Sequence, residues 1–285
     1  MPDVAVAEPF SPPAPSIRQA LRAGAGGLAA AGCETPRLDA ELLLCAALGD
    51  GWDRSRLLMA DLEALDSRVF GKFERLLARR RSREPVAYIL GFKDFRRIRL
   101  AVDRRVLIPR PETELLVEVG LRLAHGASVA DAGTGSGAVA LALKDERPDL
   151  ELTGIEISSD ALAVARENAR RLGLEISLAQ GDLLDAGRYD AVLANLPYVP
   201  AGCSGLAPEI TRHEPALALY AGADGLDVLR RLISRVEGTG VGLIALEVGA
   251  GQAPEVAGLL AGAGFGSIER IGDLAGHERV VVGRR

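Results

Sequence analysis

The chain has 285 residues, 48% of them hydrophobic and 26% charged, which excludes a disordered polymer and gives about two domains' worth of ordinary globular sequence. Aromatic residues make up only 4%, so the packing is aliphatic. The formal net charge of −5, from 34 Lys and Arg against 39 Asp and Glu, argues against a protein that grips a long nucleic-acid duplex by neutralising phosphates, and leaves room only for a local basic patch.

The N-terminal MPDVAVAEPFSPPAPS carries an acid where a secretion signal wants a base, and it is rich in proline, so residues 1–15 read as a flexible tail. From Ser16 to Arg83 the pattern is helical, with Ser16 and Thr35 as N-caps, Pro36 in a first turn, and Gly32 and Gly49 at helix ends. Leu38, Leu42 and Leu43, then Leu76 and Leu77, recur at helix spacing and predict a small bundle over 16–83. Arg79, Arg80, Arg81 and Arg83 close its last helix, either as a solvated end that suits the helix dipole or as a docking surface. Residues 84–110 alternate through Phe95, Ile98, Leu100 and Val102 and predict a linker containing a hairpin. Pro111, Glu112 and Glu114 then open a helix expected to reach Ala124.

From there to residue 285 strand and helix patterns alternate. Strands are expected to end near Ala132 and to lie at 151–157, 175–180, 189–194 and 240–248. Helices are expected after Gly137 and at 159–172, 224–236 and 253–263, with two short strands closing the chain. This is the rhythm of a parallel sheet covered on both faces. The stretch from Asn195 to Ala223 has few regular signals, and a long loop in a compact domain is commonly functional. No apolar run reaches the roughly 18 residues of a membrane span, and the one near Leu243 is interrupted by Glu247. Cys33, Cys45 and Cys203 have neither the number nor the spacing of a disulfide framework, which fits a reduced, cytoplasmic protein. His125, His213 and His277 lie too far apart to suggest a metal site.

Gly133-Thr134-Gly135-Ser136-Gly137 follows a strand and opens a helix, a position where glycines allow a tight turn and unpaired N–H groups face a ligand. With Ala138 in third position it also satisfies a dinucleotide fingerprint, so the loop alone does not choose between nicotinamide nucleotides and S-adenosylmethionine. Glu156, at the next strand end, is placed to accept from ribose hydroxyls, and Asp182 from an adenine amine. Asn195-Leu196-Pro197-Tyr198 follows the fourth strand of the sheet, at its carboxyl edge. Its chemistry suits methyl transfer to a planar, weakly basic nitrogen. The Asn195 side-chain carbonyl and the Leu196 backbone carbonyl can accept from an NH2 group, Pro197 holds residue 196 extended, and Tyr198 can cover the planar group by stacking.

Taken with Arg83 to Gly91, the Ile108-Pro109-Arg110-Pro111-Glu112-Thr113-Glu114 stretch, Glu214 to Leu217, Gly222 to Asp227, and Glu247-Val248-Gly249 with Gln252, the chain resembles the HemK-type glutamine methyltransferases of peptide chain release factors. The resemblance implies an α/β fold: a class I, Rossmann-like seven-stranded methyltransferase domain over 111–285, behind a helical domain that helps recognise the release factor. It also implies S-adenosylmethionine held by Gly133 to Gly137, Glu156, Asp182, Leu183 and Asn195. The glutamine of a Gly-Gly-Gln tip would be bound by Asn195, Leu196, Pro197 and Tyr198 and methylated on its side-chain nitrogen. Release factors are then the partners of a monomer with no membrane or stable nucleic-acid binding, and an encounter at the ribosome is left open. The sequence departs from the family at Leu196, which stands for a proline, and at Glu156, which stands for Asp. Asn-Leu-Pro-Tyr is also similar to the motif of rRNA adenine dimethyltransferases. A methyltransferase for an exocyclic amine of RNA or DNA and a non-catalytic docking protein of the same fold are therefore the alternatives.

Overall fold

The computed structural model describes residues 15–285, so the tail expected at 1–15 falls, but for Pro15, outside the described residues. The chain divides into two compact units between Leu90 and Gly91.

The first unit holds α1 (Ile17–Ala30), α2 (Pro36–Leu48), α3 (Arg54–Met59), α4 (Ser67–Arg81) and α5 (Val86–Leu90). Ser16 starts α1 with a capping box: its hydroxyl accepts from Gln19 N–H while the Gln19 side chain accepts from Ser16 N–H at 2.8 Å. Thr35 precedes α2 but does not cap it, because its hydroxyl donates to Asp39 at 2.8 Å. Leu28, Leu43, Leu44, Phe73 and Leu77 form the core. Leu38, expected among them, faces outward because its neighbour Asp39 turns inward to meet Arg80 at 2.7 Å, both side chains buried. The arginine run is not a free basic face. Arg79 pairs with Glu84, Arg80 with Asp39, Arg81 with Glu74, and Arg83 donates to the carbonyls of Ala31 and Gly32 at the end of α1.

The second unit begins with a hairpin, β1 (Phe92–Phe95) and β2 (Ile98–Ala101), followed by a single 3₁₀ turn at Pro111–Thr113 and α6 (Glu114–Gly120). Then come β3 (Ser128–Ala132), α7 (Ala138–Glu146), β4 (Glu151–Glu156), α8 (Ser159–Leu172), β5 (Ser177–Gln180), β6 (Ala191–Ala194), α9 (Pro208–His213), α10 (Asp227–Val236), β7 (Leu243–Glu247), α11 (Ala253–Gly262), β8 (Ser267–Gly272) and β9 (Glu278–Arg284). The seven strands β3 to β9 stand in the order β5-β4-β3-β6-β7-β9-β8, parallel except for β9, which runs antiparallel to both neighbours. Central β6 is buried at every residue, as a strand covered on both faces must be. On α10, Leu229, Leu232, Ile233 and Val236 repeat at helical spacing and supply one covering stripe.

Three sequence expectations are altered by long-range contacts. The helix expected to reach Ala124 stops at Gly120, where the Arg147 guanidinium takes the carbonyls of Leu121 and Leu123. The hairpin is not a free linker. Asn168 of α8 pairs with Ala101 like a strand neighbour, accepting from its N–H at 2.7 Å and donating to its carbonyl at 3.1 Å, so residues 91–110 belong to the second unit and 84–90 to the first. Between Asn195 and Ala223 the chain forms α9, a 3₁₀ turn at Ala216–Ala218 and a bridge between Val199 and Tyr220.

Arg80→Ala leaves the Asp39 carboxylate buried without its cation, and urea unfolding should show a loss of about 3 kcal/mol; a loss below about 1 kcal/mol would mean that the pair is effectively solvated.

Candidate active site

Strand register assembles the site. Ala132 pairs with Ile155 on one side and Ala194 on the other, and Ala194 pairs with Leu246. The residues that follow, Gly133, Glu156, Asn195 and Glu247, therefore stand in a row at the carboxyl edge. The edge includes the point between β3 and β6 where strand order reverses, the usual ligand position in open α/β sheets.

Gly133, Gly135 and Gly137 have φ of 73°, 56° and 84°, a backbone that L side chains rarely adopt. A Cβ on Gly133 would lie 2.6 Å from Leu196 Cδ2, so the loop after β3 presses directly on the turn after β6. Beneath the loop, buried Asp131 accepts from the Thr134 hydroxyl at 2.6 Å and Ala140 N–H at 3.2 Å, and burial pushes its pKa up to about 6. The two Glu156 oxygens accept from Gly135 N–H and Ser158 N–H, each at 2.9 Å, which fixes the carboxylate against the loop.

All the candidate residues except Gly137 and Tyr198 line one cleft. Gly137 lies one step behind it, as the left-handed residue that starts α7. Leu183 lines the cleft with a left-handed φ of 68°, a strained conformation for leucine. Asp182 carries a feature that sequence reasoning missed: Arg231 and Arg235 of α10 both donate to its Oδ2, leaving Oδ1 as its remaining acceptor. Their i, i+4 spacing on α10 was the available signal.

Tyr198, expected to cover the planar group by stacking, is not among the residues that line this cleft. Its phenol donates to Glu247 Oε1 at 3.3 Å and its carbonyl accepts from Gln252 Nε2 at 3.0 Å, so the residue anchors the turn beside the cleft instead of walling it. Gln252 also donates to the Asp224 carbonyl and accepts from Gly249 N–H, tying three loops together. Burial and the neighbouring Glu247 charge raise the Tyr198 pKa above the usual phenol range. Leu196 is buried in the core, so packing now holds the position that a proline ring would stiffen.

Upstream, the Glu214 carboxylate accepts from Ile108 N–H at 3.2 Å and from the Arg110 guanidinium, joining the segment before α6 to the loop after α9. The Thr113 side chain does not cap α6; its hydroxyl accepts from Asn195 Nδ2 at 2.9 Å. Glu247 is almost completely buried, and burial is the main cause of a pKa pushed up to about 7, opposed by hydrogen bonding with Thr113 and Tyr198.

Residues 19–91 match the model of the PrmC N-terminal domain, and residues 111–207 that of the methyltransferase small domain. A release factor glutamine methyltransferase of Rhodospirillum rubrum is 43% identical over 274 residues, covering 93% of this chain and 84% of that protein. One of Geobacter sulfurreducens is 39% identical over 276 residues, covering 94% and 96%. The chain belongs to the release factor glutamine methyltransferase family. Among solved structures, the hMettl16 catalytic domain in complex with a MAT2A 3'UTR hairpin is similar over 73% of this chain and 80% of its own, with a TM-score of 0.52 and 15% identity, a likeness of fold alone. In this family member, as in the class I methyltransferase fold generally, the cleft lies at the carboxyl edge of a seven-stranded sheet.

The two raised carboxyls set a pH dependence. With native pKa values of about 6 for Asp131 and about 7 for Glu247, against ordinary values of 3.8 and 4.5, the folded chain holds more protons than the unfolded chain over that interval. Their contribution is fully present below about pH 4 and is lost as pH rises through 7. Urea unfolding at pH 5 and pH 8 should therefore show Glu247→Gln gaining on the parent chain by on the order of 2 kcal/mol across that range; a constant difference would contradict the shift.

Proposed function

We propose that this protein transfers a methyl group from S-adenosylmethionine to the side-chain amide nitrogen of the glutamine in a release-factor Gly-Gly-Gln tip, acting as a cytoplasmic monomer that meets the factor free or on the ribosome. The observation that carries the reading is that Asn195 and the Gly133–Glu156 cradle line the same cleft in a chain of this family. Among the described residues no helix is long and apolar enough to cross a membrane, and no three His, Cys, Asp or Glu side chains gather as metal ligands.

The residues present fit the cofactor. Glu156 offers the ribose a carboxylate whose direction is already fixed by two backbone N–H groups. Ile157 and Leu183 supply apolar cleft walls for a flat base, with Asp182 Oδ1 left to accept from its amine. The positive-φ glycines let the ligand lie against bare backbone. When bound, S-adenosylmethionine supplies an electrophilic methyl group and a sulfide leaving group.

On the substrate side, a glutamine nitrogen is a poor nucleophile because its lone pair is delocalised into the carbonyl. With Asn195 Nδ2 engaged by Thr113, Oδ1 is the Asn195 atom left to accept from the substrate NH2. The Leu196 carbonyl offers a second acceptor, and together they hold the nitrogen in line while drawing density off its hydrogens. As the nitrogen–carbon bond forms and the carbon–sulfur bond breaks, the amide sheds one proton to water. No strongly basic group is required, since positioning and acceptor geometry carry the rate.

Incubation with methyl-labelled S-adenosylmethionine should place label on the tip glutamine of a release factor and none on its Gln→Ala variant, as located by peptide mass analysis. Label on RNA or DNA in a parallel reaction, with none on the factor, would replace this reading with the nucleic-acid one. Asn195→Ala should lower kcat/KM by about 10²- to 10³-fold with cofactor affinity nearly intact, whereas Glu156→Ala should weaken cofactor binding by tenfold or more; equal loss of both properties in both variants would refute the division of roles.

A further inference from the structure

Glu247 is 1% exposed, and its Oε2 has no hydrogen-bond partner among the described residues, an unusual state for a buried carboxyl. Register sets it beside Asn195, because Ala194 and Leu246 are paired. Thr113 acts on both: its oxygen accepts from Asn195 Nδ2 at 2.9 Å, and its side chain favours the ionised form of the Glu247 carboxyl, against the effect of burial. Tyr198 donates to the same carboxyl, while Glu112 and Arg279 act on it only through their charges.

A threonine hydroxyl has one proton and can either donate or accept along any one contact. Asparagine has the same ambiguity, since rotating its amide by a half-turn exchanges a donor for an acceptor. The pair Thr113–Asn195 therefore has two arrangements of similar shape. In one, the threonine proton points away and Asn195 presents Oδ1 to the cleft; in the other, the threonine donates to Oδ1 and Asn195 presents its NH2. Only the first can accept from a substrate amide nitrogen. What would separate them is an acceptor on the far side of Thr113, and the Glu247 carboxyl, whose ionised form Thr113 favours, is the group placed to serve. A carboxyl suits the task because it keeps an acceptor oxygen whether ionised or protonated.

We propose that Thr113 and Glu247 are positioning residues that fix the polarity of the Asn195 amide, so that the site selects an NH2-bearing glutamine over a carboxylate of the same shape. The inference rests on the reading of Asn195 as the NH2 acceptor.

The test compares the affinities of full-length protein for a release factor with the natural Gln tip and for its Gln→Glu tip variant, by calorimetry, alongside kcat, KM and cofactor affinity. The parent chain should favour the Gln tip. Thr113→Val, similar in shape but without the hydroxyl, should lower kcat by about 30-fold or more at unchanged cofactor affinity and shift the affinity ratio at least fivefold toward the Glu tip. Thr113→Ser should restore both values to within about threefold. Glu247→Leu should shift the ratio in the same direction as Thr113→Val. Equal weakening of both tips by Thr113→Val, or an unchanged ratio with Thr113→Ser as damaged as Thr113→Val, would overturn the inference and leave a purely structural role. A parent chain that methylates RNA or DNA and ignores the Gln tip would instead remove the reading beneath it.

Discussion

The level ending of four parallel strands is the constraint on which the site depends. Because β3, β4, β6 and β7 pair with no offset, the residues just past them meet along one edge. Parallel pairing leaves no alternative ledge, since a slip by one residue would turn every side chain of a doubly covered strand to the opposite face. The glycine loop and the Asn195 turn can then press together, and the absence of a side chain on Gly133 is what lets Leu196 reach in. The cleft is thus a product of sheet geometry first and of side-chain chemistry second.

Charge is handled in two contrasting ways around that edge. Asp182 is exposed enough to be shared between two arginines, and Glu156 is fixed by backbone N–H groups, so each carboxylate is directed by a donor. Asp131 and Glu247 lie deeper and have only neutral hydrogen-bond partners, so desolvation dominates and both resist ionisation. A fixed carboxylate suits contact with ribose hydroxyls, and a carboxyl that resists ionisation can be kept inside an apolar strand end without a counter-ion.

Most of the sheet and its helices were legible because hydrophobic periodicity reports local geometry: the expected helix at 159–172 agrees with Ser159–Leu172, and the glycine loop sits where a strand hands over to a helix. Features decided by distant side chains were not legible. Nothing near Leu38 announces that Asp39 will turn inward, since its reason is Arg80 on another helix. The short α6 answers to Arg147, and the turned Tyr198 to Glu247 and Gln252. Thr113 could be read from the sequence either as lining the substrate pocket, by resemblance, or as capping a first turn, and only the fold shows that its partner is Asn195. Motif spacing found the residues, and three dimensions were needed to show which of them face the cleft and which act on those that do.

Asn168 links two parts of the second unit that the chain keeps far apart. The same buried side chain completes the pairing of Ala101 in β2 and donates to the Ser136 carbonyl in the glycine loop at 2.9 Å. Peeling the hairpin away would strip partners from an amide that water cannot reach, so the hairpin and the loop behave as one cooperative unit toward local opening. Amide hydrogens in the two segments should consequently exchange with solvent in a common event, and slower motion of the loop is inherited from a ribbon of chain that does not line the cleft.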